Sequence, residues 1–186
     1  IVKFRGWRSE VDPVMFIKEI LESSKGNEIV DKDGTIQGRI YVFIMNDKKY
    51  VLKYYFDYEN REGEILQSLD HPFIPKCYEW GYYENRQYVI MDYVEGVSLD
   101  VVKHLTEEQR KQLKEVKLFL ILRGVAHHDI RPKHIILGKN NIFLVDFGAA
   151  ESKEFPTKLR PEVLKMNEKY SPNDTVAVEM IIKEFA

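Results

Sequence analysis

The hydrophobic period of this chain changes near its middle, from two to about 3.6, and that change limits the fold more than any other feature. Over Glu28–Asp31, Arg39–Met45 and Tyr50–Phe56 apolar or β-favouring residues alternate, and the polar turn Asn46–Lys49 joins the last two stretches. A hairpin-built antiparallel sheet is expected, with Cys77–Tyr83 and Gln87–Val94 as a second hairpin around Glu84–Arg86. Between them Tyr58 to Leu69 reads as a helix. Past Gly96 the pattern becomes helical, with Leu113, Val116, Leu118, Phe119 and Ile121 marking a helix over Thr106 to Leu122. Thr106-Glu107-Glu108 is its cap region and Gly124 its stop. Short strands at Ile135–Leu137 and Ile142–Val145 flank the turn Gly138–Asn141, and a last helix runs from Asp174 to Phe185.

These elements predict an α+β chain in two lobes, an antiparallel sheet lobe over 26–93 and a mainly helical lobe over 94–186. Residues 1–25 form an N-terminal helical extension, its helix at 12–24 capped by Asp12 with Pro13 in the first turn. The segment Val94–Ser98 is the expected hinge, and a cleft between the lobes is the expected ligand site.

Composition narrows the function classes. The chain has 186 residues, 28 basic and 30 acidic, so its formal charge of −2 argues against a dedicated nucleic-acid binder. An apolar share of 44% is enough to bury a core and excludes wholesale disorder. The longest apolar run, Leu118–Leu122, falls far short of the roughly 20 residues a membrane helix needs, and no apolar leader opens the sequence. A membrane span is therefore not expected and a cytoplasmic location is. Cys77 is the single cysteine, so neither an internal disulfide nor a structural zinc site holds the fold.

Three chemical signals follow one another along the chain. Val51-Leu52-Lys53 places an ammonium inside a strand, where burial demands an anion. His127-His128-Asp129-Ile130-Arg131-Pro132-Lys133-His134 follows the long helix, and Asp146-Phe147-Gly148 closes an apolar strand. In this order the set resembles the protein-kinase superfamily, whose signature is a strand lysine, an HRDxxxxN loop and a DFG. The resemblance runs from about Asn27 to the last residue and implies a two-lobed kinase-like fold that uses ATP and Mg²⁺.

It also implies roles. Lys53 would clamp the α- and β-phosphates, oriented by Glu62, which shares a helix face with Leu66 and Leu69. Asp129 would take the proton of an acceptor hydroxyl, and Arg131 would meet the γ-phosphate. Asp146 would hold the metal with Phe147 packed behind it. Ile40, Val51 and Ile136 would enclose adenine, Met91 would guard the back of the pocket, and Asp92-Tyr93-Val94 would offer backbone hydrogen bonds.

Four departures qualify the match. Asp33-Gly34-Thr35-Ile36-Gln37-Gly38 replaces a GxGxxG loop and keeps only Gly34 and Gly38 for phosphate approach. His134 stands where the family has asparagine as a metal ligand; one-metal catalysis, a preference for Mn²⁺, or no catalysis would each follow. The three histidines His127, His128 and His134 lack the spacing of a transition-metal site. His128 replaces the arginine that in many relatives receives a phosphorylated activation segment, which makes Ser152 and Thr157 poor regulatory sites. Arg160-Pro161-Glu162 resembles a degraded APE, and Asp174 is expected to open the next helix and tie it to the catalytic-loop backbone.

With the later helices absent, the chain is either a cut fragment or similar to compact, atypical members such as the RIO kinases, the small kinase of the tRNA threonylcarbamoyl-adenosine complex and the lipopolysaccharide sugar kinases. The resemblance implies γ-phosphate transfer to a hydroxyl, of protein Ser/Thr or of a small molecule such as a sugar, with a partner protein standing in for the missing platform. A pseudokinase scaffold and an ATPase are the alternatives. Abundant Lys and Glu with scarce Gln fit a heat-adapted source.

Overall fold

The computed structural model describes residues 13–23, 25–30, 34, 36–56, 60–157 and 169–186. They fall into two compact units, one of the described residues up to 59 with Lys76–Tyr93, the other of Asn60–Pro75 with Val94–Ala186. The class is α+β, with an antiparallel sheet in the first unit and a mainly helical second unit.

In the first unit α1 (Pro13–Ser23) precedes β1 (Asn27–Val30), β2 (Ile36–Met45), β3 (Lys48–Tyr55), β4 (Cys77–Tyr83) and β5 (Arg86–Asp92). The sheet order is β1-β2-β3-β5-β4, every pair antiparallel. Both expected hairpins form, and their two-residue turns use left-handed backbone, at Asn46 (φ 50°) and Asp47 (φ 63°) and at Glu84 (φ 48°) and Asn85 (φ 61°). That twist matches the strands they join. β2 starts at Ile36 rather than Arg39, because the ladder continues through Gly38, which pairs with Tyr55. A Cβ at Gly38 would collide with the Tyr54 carbonyl oxygen and reach within 3.0 Å of the Tyr55 Cα, so the neighbouring strand is what requires glycine there.

Strand alternation sorts β3 into two faces. Tyr50, Leu52 and Tyr54 join Tyr41, Tyr78, Tyr88 and Ile90 in the core, and α1 closes it with Ile17 and Ile20. The helix read as an extension is thus part of this unit's core. Asp12, its expected cap, lies outside the described residues. Aromatic rings interlock along the contact, Phe16 edge-on to Phe43 at 5.4 Å and Tyr50 edge-on to Tyr78 at 5.2 Å. Ile17 is 1% exposed. Ile17→Ala is expected to destabilise this unit by about 2–4 kcal/mol, read from urea unfolding; a loss under 1 kcal/mol would mean that α1 is not anchored on the sheet.

The second unit begins with α2 (Glu62–Ser68), which starts later than its periodicity suggests. The Asn60 Oδ1 accepts the Glu62 N–H at 2.9 Å, a local turn that competes with helix. Tyr58 and Glu59 lie outside the described residues. Next come β6 (Val97–Ser98), α3 (Leu99–Val102) and α4 (Glu107–Leu122). A full capping box starts α4: the Thr106 hydroxyl accepts the Gln109 N–H, and the Gln109 side chain accepts the Thr106 N–H. Gly124, at φ 68°, takes the left-handed position that ends it.

The chain continues through β7 (Val125–Ala126), a 3₁₀ turn (Pro132–His134), β8 (Ile135–Leu137), β9 (Ile142–Leu144), β10 (Glu151–Ser152) and α5 (Asp174–Phe185). β6, β8 and β9 pair in that order, and β7 pairs with β10. Leu113, Val116 and Leu120 of α4 and Ala177, Val178 and Ile181 of α5 are buried, and the two helices pack on each other. No helix among the described residues is long and apolar enough to cross a membrane.

His71 packs its ring 4.6 Å from that of Phe119, and its Nδ1 accepts the Phe73 N–H at 3.1 Å. Burial pulls its pKa below the ordinary imidazole value against the opposing pull of Glu115 and Asp70. The unfolded chain therefore binds a proton here before the folded one does. This contribution to stability is present above about pH 6.5 and is lost as pH falls from there toward the lowered folded value. In thermal melts between pH 7.5 and 5.5, His71→Asn, which keeps an acceptor but does not titrate, is expected to lose less of its midpoint than the parent chain. Equal losses would contradict this.

Candidate active site

The loop after β7 is pinned by backbone geometry. His127 is fully buried. Its Nδ1 accepts the Asp129 N–H at 3.1 Å, which leaves Nε2–H to donate to the Val145 carbonyl at 3.0 Å. That is the neutral ring, and burial, joined by the charge of His134, keeps its pKa low against the pull of Asp174. The carboxylate of Asp174, first residue of α5, accepts the N–H groups of His127 and His128 at 2.7 and 3.0 Å. The expected tie between that helix and the loop is therefore present. His128 needs such support, since its φ of 68° is strained for a residue with a side chain.

This loop brings Asp129 to His134 and Asp146. Ligating atoms of the three lie within 4.8 Å of one another. His134 Nε2 is 3.0 Å from Asp146 Oδ2, and its Nδ1 is 2.9 Å from the Asp129 carbonyl oxygen and 3.5 Å from Asp129 Oδ2. Burial pulls the His134 pKa down, but Asp146 and Asp129 outweigh it and hold the imidazole above its ordinary value. Burial raises the pKa of Asp129, against the opposing pull of His134 and Arg131. Two carboxylates and one imidazole are a donor set that suits a divalent cation. The other two histidines do not converge with His134: His127 spends both ring nitrogens on backbone groups, and His128 faces Pro172 and Glu151.

Behind Asp146, Phe147 is fully buried, with its ring 4.6 Å edge-on to that of His127. Its N–H donates to Glu62 Oε2 at 2.7 Å. Glu62 is 0% exposed on α2, while Glu64 is held by Arg61 at 2.8 Å. In the sheet unit Lys53 is 8% exposed on β3, paired across the ladders with Ile40 and Val89.

Residues 48–184 match the family described as the protein kinase domain. The chain belongs to that family. Kinases similar to it include 3-phosphoinositide-dependent protein kinase B of Dictyostelium discoideum, 34% identical over 58% of this chain and 13% of that protein. Serine/threonine-protein kinase cds1 of Schizosaccharomyces pombe is 35% identical over 49% of this chain and 22% of its own length. An Aurora kinase of Eremothecium gossypii is 32% identical over 55% and 30%. The chain thus spans well under half the length of these relatives.

The remaining kinase positions sort by unit. In the sheet unit Val51 and Met91 face each other across β3 and β5, Met91 buried and Val51 half-buried like Ile40. In the second unit Ile136 pairs with Phe143 and Ser98. Asp92 ends β5 at the expected hinge. The N–H of Asp92 already donates to the Lys76 carbonyl at 2.9 Å, and its carboxylate is taken by Tyr78, Lys48 and the Lys76 N–H. Arg131 lies beside the carboxylate two residues before it, its Nε 3.6 Å from Asp129 Oδ1. Gly34 is exposed with left-handed backbone and open space around it; Asp33, Thr35 and Arg160-Pro161-Glu162 lie outside the described residues.

Two contacts of this kinase site had no sequence signal. Glu151 meets His128 at 2.8 Å, and the Pro172 carbonyl meets its other ring nitrogen at 3.1 Å. Both partners are distant in the chain and neither belongs to a motif.

Proposed function

We propose that this kinase domain transfers the γ-phosphate of ATP to a hydroxyl, that of Ser or Thr in a protein. The observation that carries this is the convergence of Asp146 within 4.8 Å on Asp129 and His134, which lie on a loop pinned by Asp174. In the reaction the acceptor oxygen forms a bond to Pγ, the bond from Pγ to the ADP oxygen breaks, and the hydroxyl proton passes to Asp129. Arg131 supplies positive charge to the transferring group. Glu62 fixes the Phe147 backbone and, through it, the segment that carries Asp146. In the sheet unit Ile40, Val51 and Met91 supply apolar surface for adenine.

Asp146 and His134 are the residues to hold a divalent cation, which neutralises phosphate charge when bound. An imidazole donor favours a borderline ion over a hard one, so Mn²⁺ is preferred to Mg²⁺ at this position. A pseudokinase scaffold is the second reading, favoured by the contact of His134 with the Asp146 oxygen that a metal would use.

Incubation of the whole chain with γ-labelled ATP and either metal tests these readings. Label on the chain itself or on a generic protein acceptor is the expected result, and label on a sugar instead would make it a small-molecule kinase. Free phosphate without labelled acceptor would identify an ATPase. A folded protein that consumes no ATP with either ion would leave the scaffold.

A further inference from the structure

Beyond Asp146 the chain returns to the catalytic loop. Glu151 and Ser152 pair with Ala126 and Val125 in the β10–β7 ladder. Glu151 then uses both carboxylate oxygens, Oε1 toward His128 Nε2 at 2.8 Å and Oε2 for the Thr157 N–H at 3.0 Å. Ser152 closes a tight turn, its N–H donating to the Phe155 carbonyl and its Oγ accepting the Phe155 N–H, each at 3.0 Å. The imidazole–carboxylate pair is partly shielded, with side-chain exposures of 19% and 33%. Burial raises the pKa of Glu151, but the Thr157 N–H and His128 outweigh it and favour the charged form.

His128 is the residue just before Asp129, and its strained backbone is held by its ring as well as by Asp174. Without Glu151 the ring keeps only the Pro172 carbonyl, so the strained backbone next to Asp129 loses one of its holds. Displacements of an ångström at such a group are costly in rate. A phosphate on Ser152 or Thr157 would set a second anion beside Glu151 and find the imidazole already taken.

We propose that Glu151 and His128 are positioning residues, the carboxylate serving as a permanent anion that holds 151–157 to the catalytic loop, so that the loop's working form needs no phosphorylation of Ser152 or Thr157. The proposal rests on the phosphotransfer reading above.

The test uses the whole chain and the variants Glu151→Gln, His128→Gln and the double variant. Transfer kinetics, thermal midpoint and amide hydrogen exchange are measured on each. Glu151→Gln is expected to lower kcat by about 10- to 10²-fold with KM for ATP and the thermal midpoint unchanged. The double variant should be no slower than the slower single one, because both remove the same contact. Phosphatase-treated protein, shown by mass to carry no phosphate, should turn over at the untreated rate. Wild-type kcat in Glu151→Gln, additive losses in the double variant, or a treated protein that works only after rephosphorylation would each overturn the proposal. If Glu151→Gln does not fold, His128→Gln carries the same kinetic comparison. If the parent chain transfers no phosphate, the phosphotransfer reading fails by itself. Hydrogen exchange then decides the contact: faster exchange over 151–157 in Glu151→Gln supports it, and unchanged exchange refutes it.

Discussion

Asp129→Asn is expected to slow γ-phosphate transfer by about 10²- to 10⁴-fold, the contribution of a positioned general base, without lowering the thermal midpoint. The two effects separate because the backbone of Asp129, and not its side chain, makes its close contacts in this loop. The Asp129 N–H donates to His127 Nδ1 and its carbonyl faces His134 Nδ1, and an asparagine keeps both contacts. The carboxylate itself has looser neighbours, 3.5 Å from His134 and 3.6 Å from Arg131. Burial already raises its pKa, so replacing it with a neutral amide removes no large source of stability. Single-turnover transfer and a thermal melt on the same sample check both halves. A variant within threefold of the parent rate would rule out Asp129 as the proton acceptor.

Asp146→Asn is expected to lose about 10³-fold in rate with either ion, because this is the carboxylate proposed to hold the metal. His134→Asn should behave differently. An amide oxygen is a harder donor than an imidazole nitrogen, so the Mn²⁺-to-Mg²⁺ ratio of rates is expected to shift toward Mg²⁺ by about tenfold. The variant also frees Asp146 Oδ2 from the contact at 3.0 Å. Rates measured across a concentration series of each metal separate affinity from turnover. An unchanged ratio would mean that His134 does not ligate, and activity in Asp146→Asn would place the metal elsewhere.

How far the sequence carries depends on the distance over which each feature is encoded. The two hairpins were legible because alternation and a two-residue polar turn occupy neighbouring positions, and Asn46-Asp47 takes the left-handed backbone that such turns need. α4 was legible for the same reason, its capping box closing within Thr106–Gln109. The start of α2 was not, because the Asn60 side chain turns the chain locally and cuts short a pattern that looks helical from Tyr58. Two-residue strands such as β7 and β10 have no period to read. Glu62 was separable from Glu64 by helix face, and it is fully buried on α2; its contact with the Phe147 N–H lies in the packing of α2 and is written in no spacing.

The sequence alone determined that this chain is a sheet followed by helices, and that a strand lysine, a histidine-rich loop with Asp129 and an Asp-Phe-Gly occur in kinase order. Those facts are local, fixed by the residue types within a few positions of one another. The tertiary structure alone decided that α1 completes the sheet's core, that His134 lies between Asp129 and Asp146, and that Asp174 and Glu151 hold the loop from far along the chain. Contacts between residues so distant exist only once helices and strands have packed, because what selects their partners is burial and geometry in three dimensions.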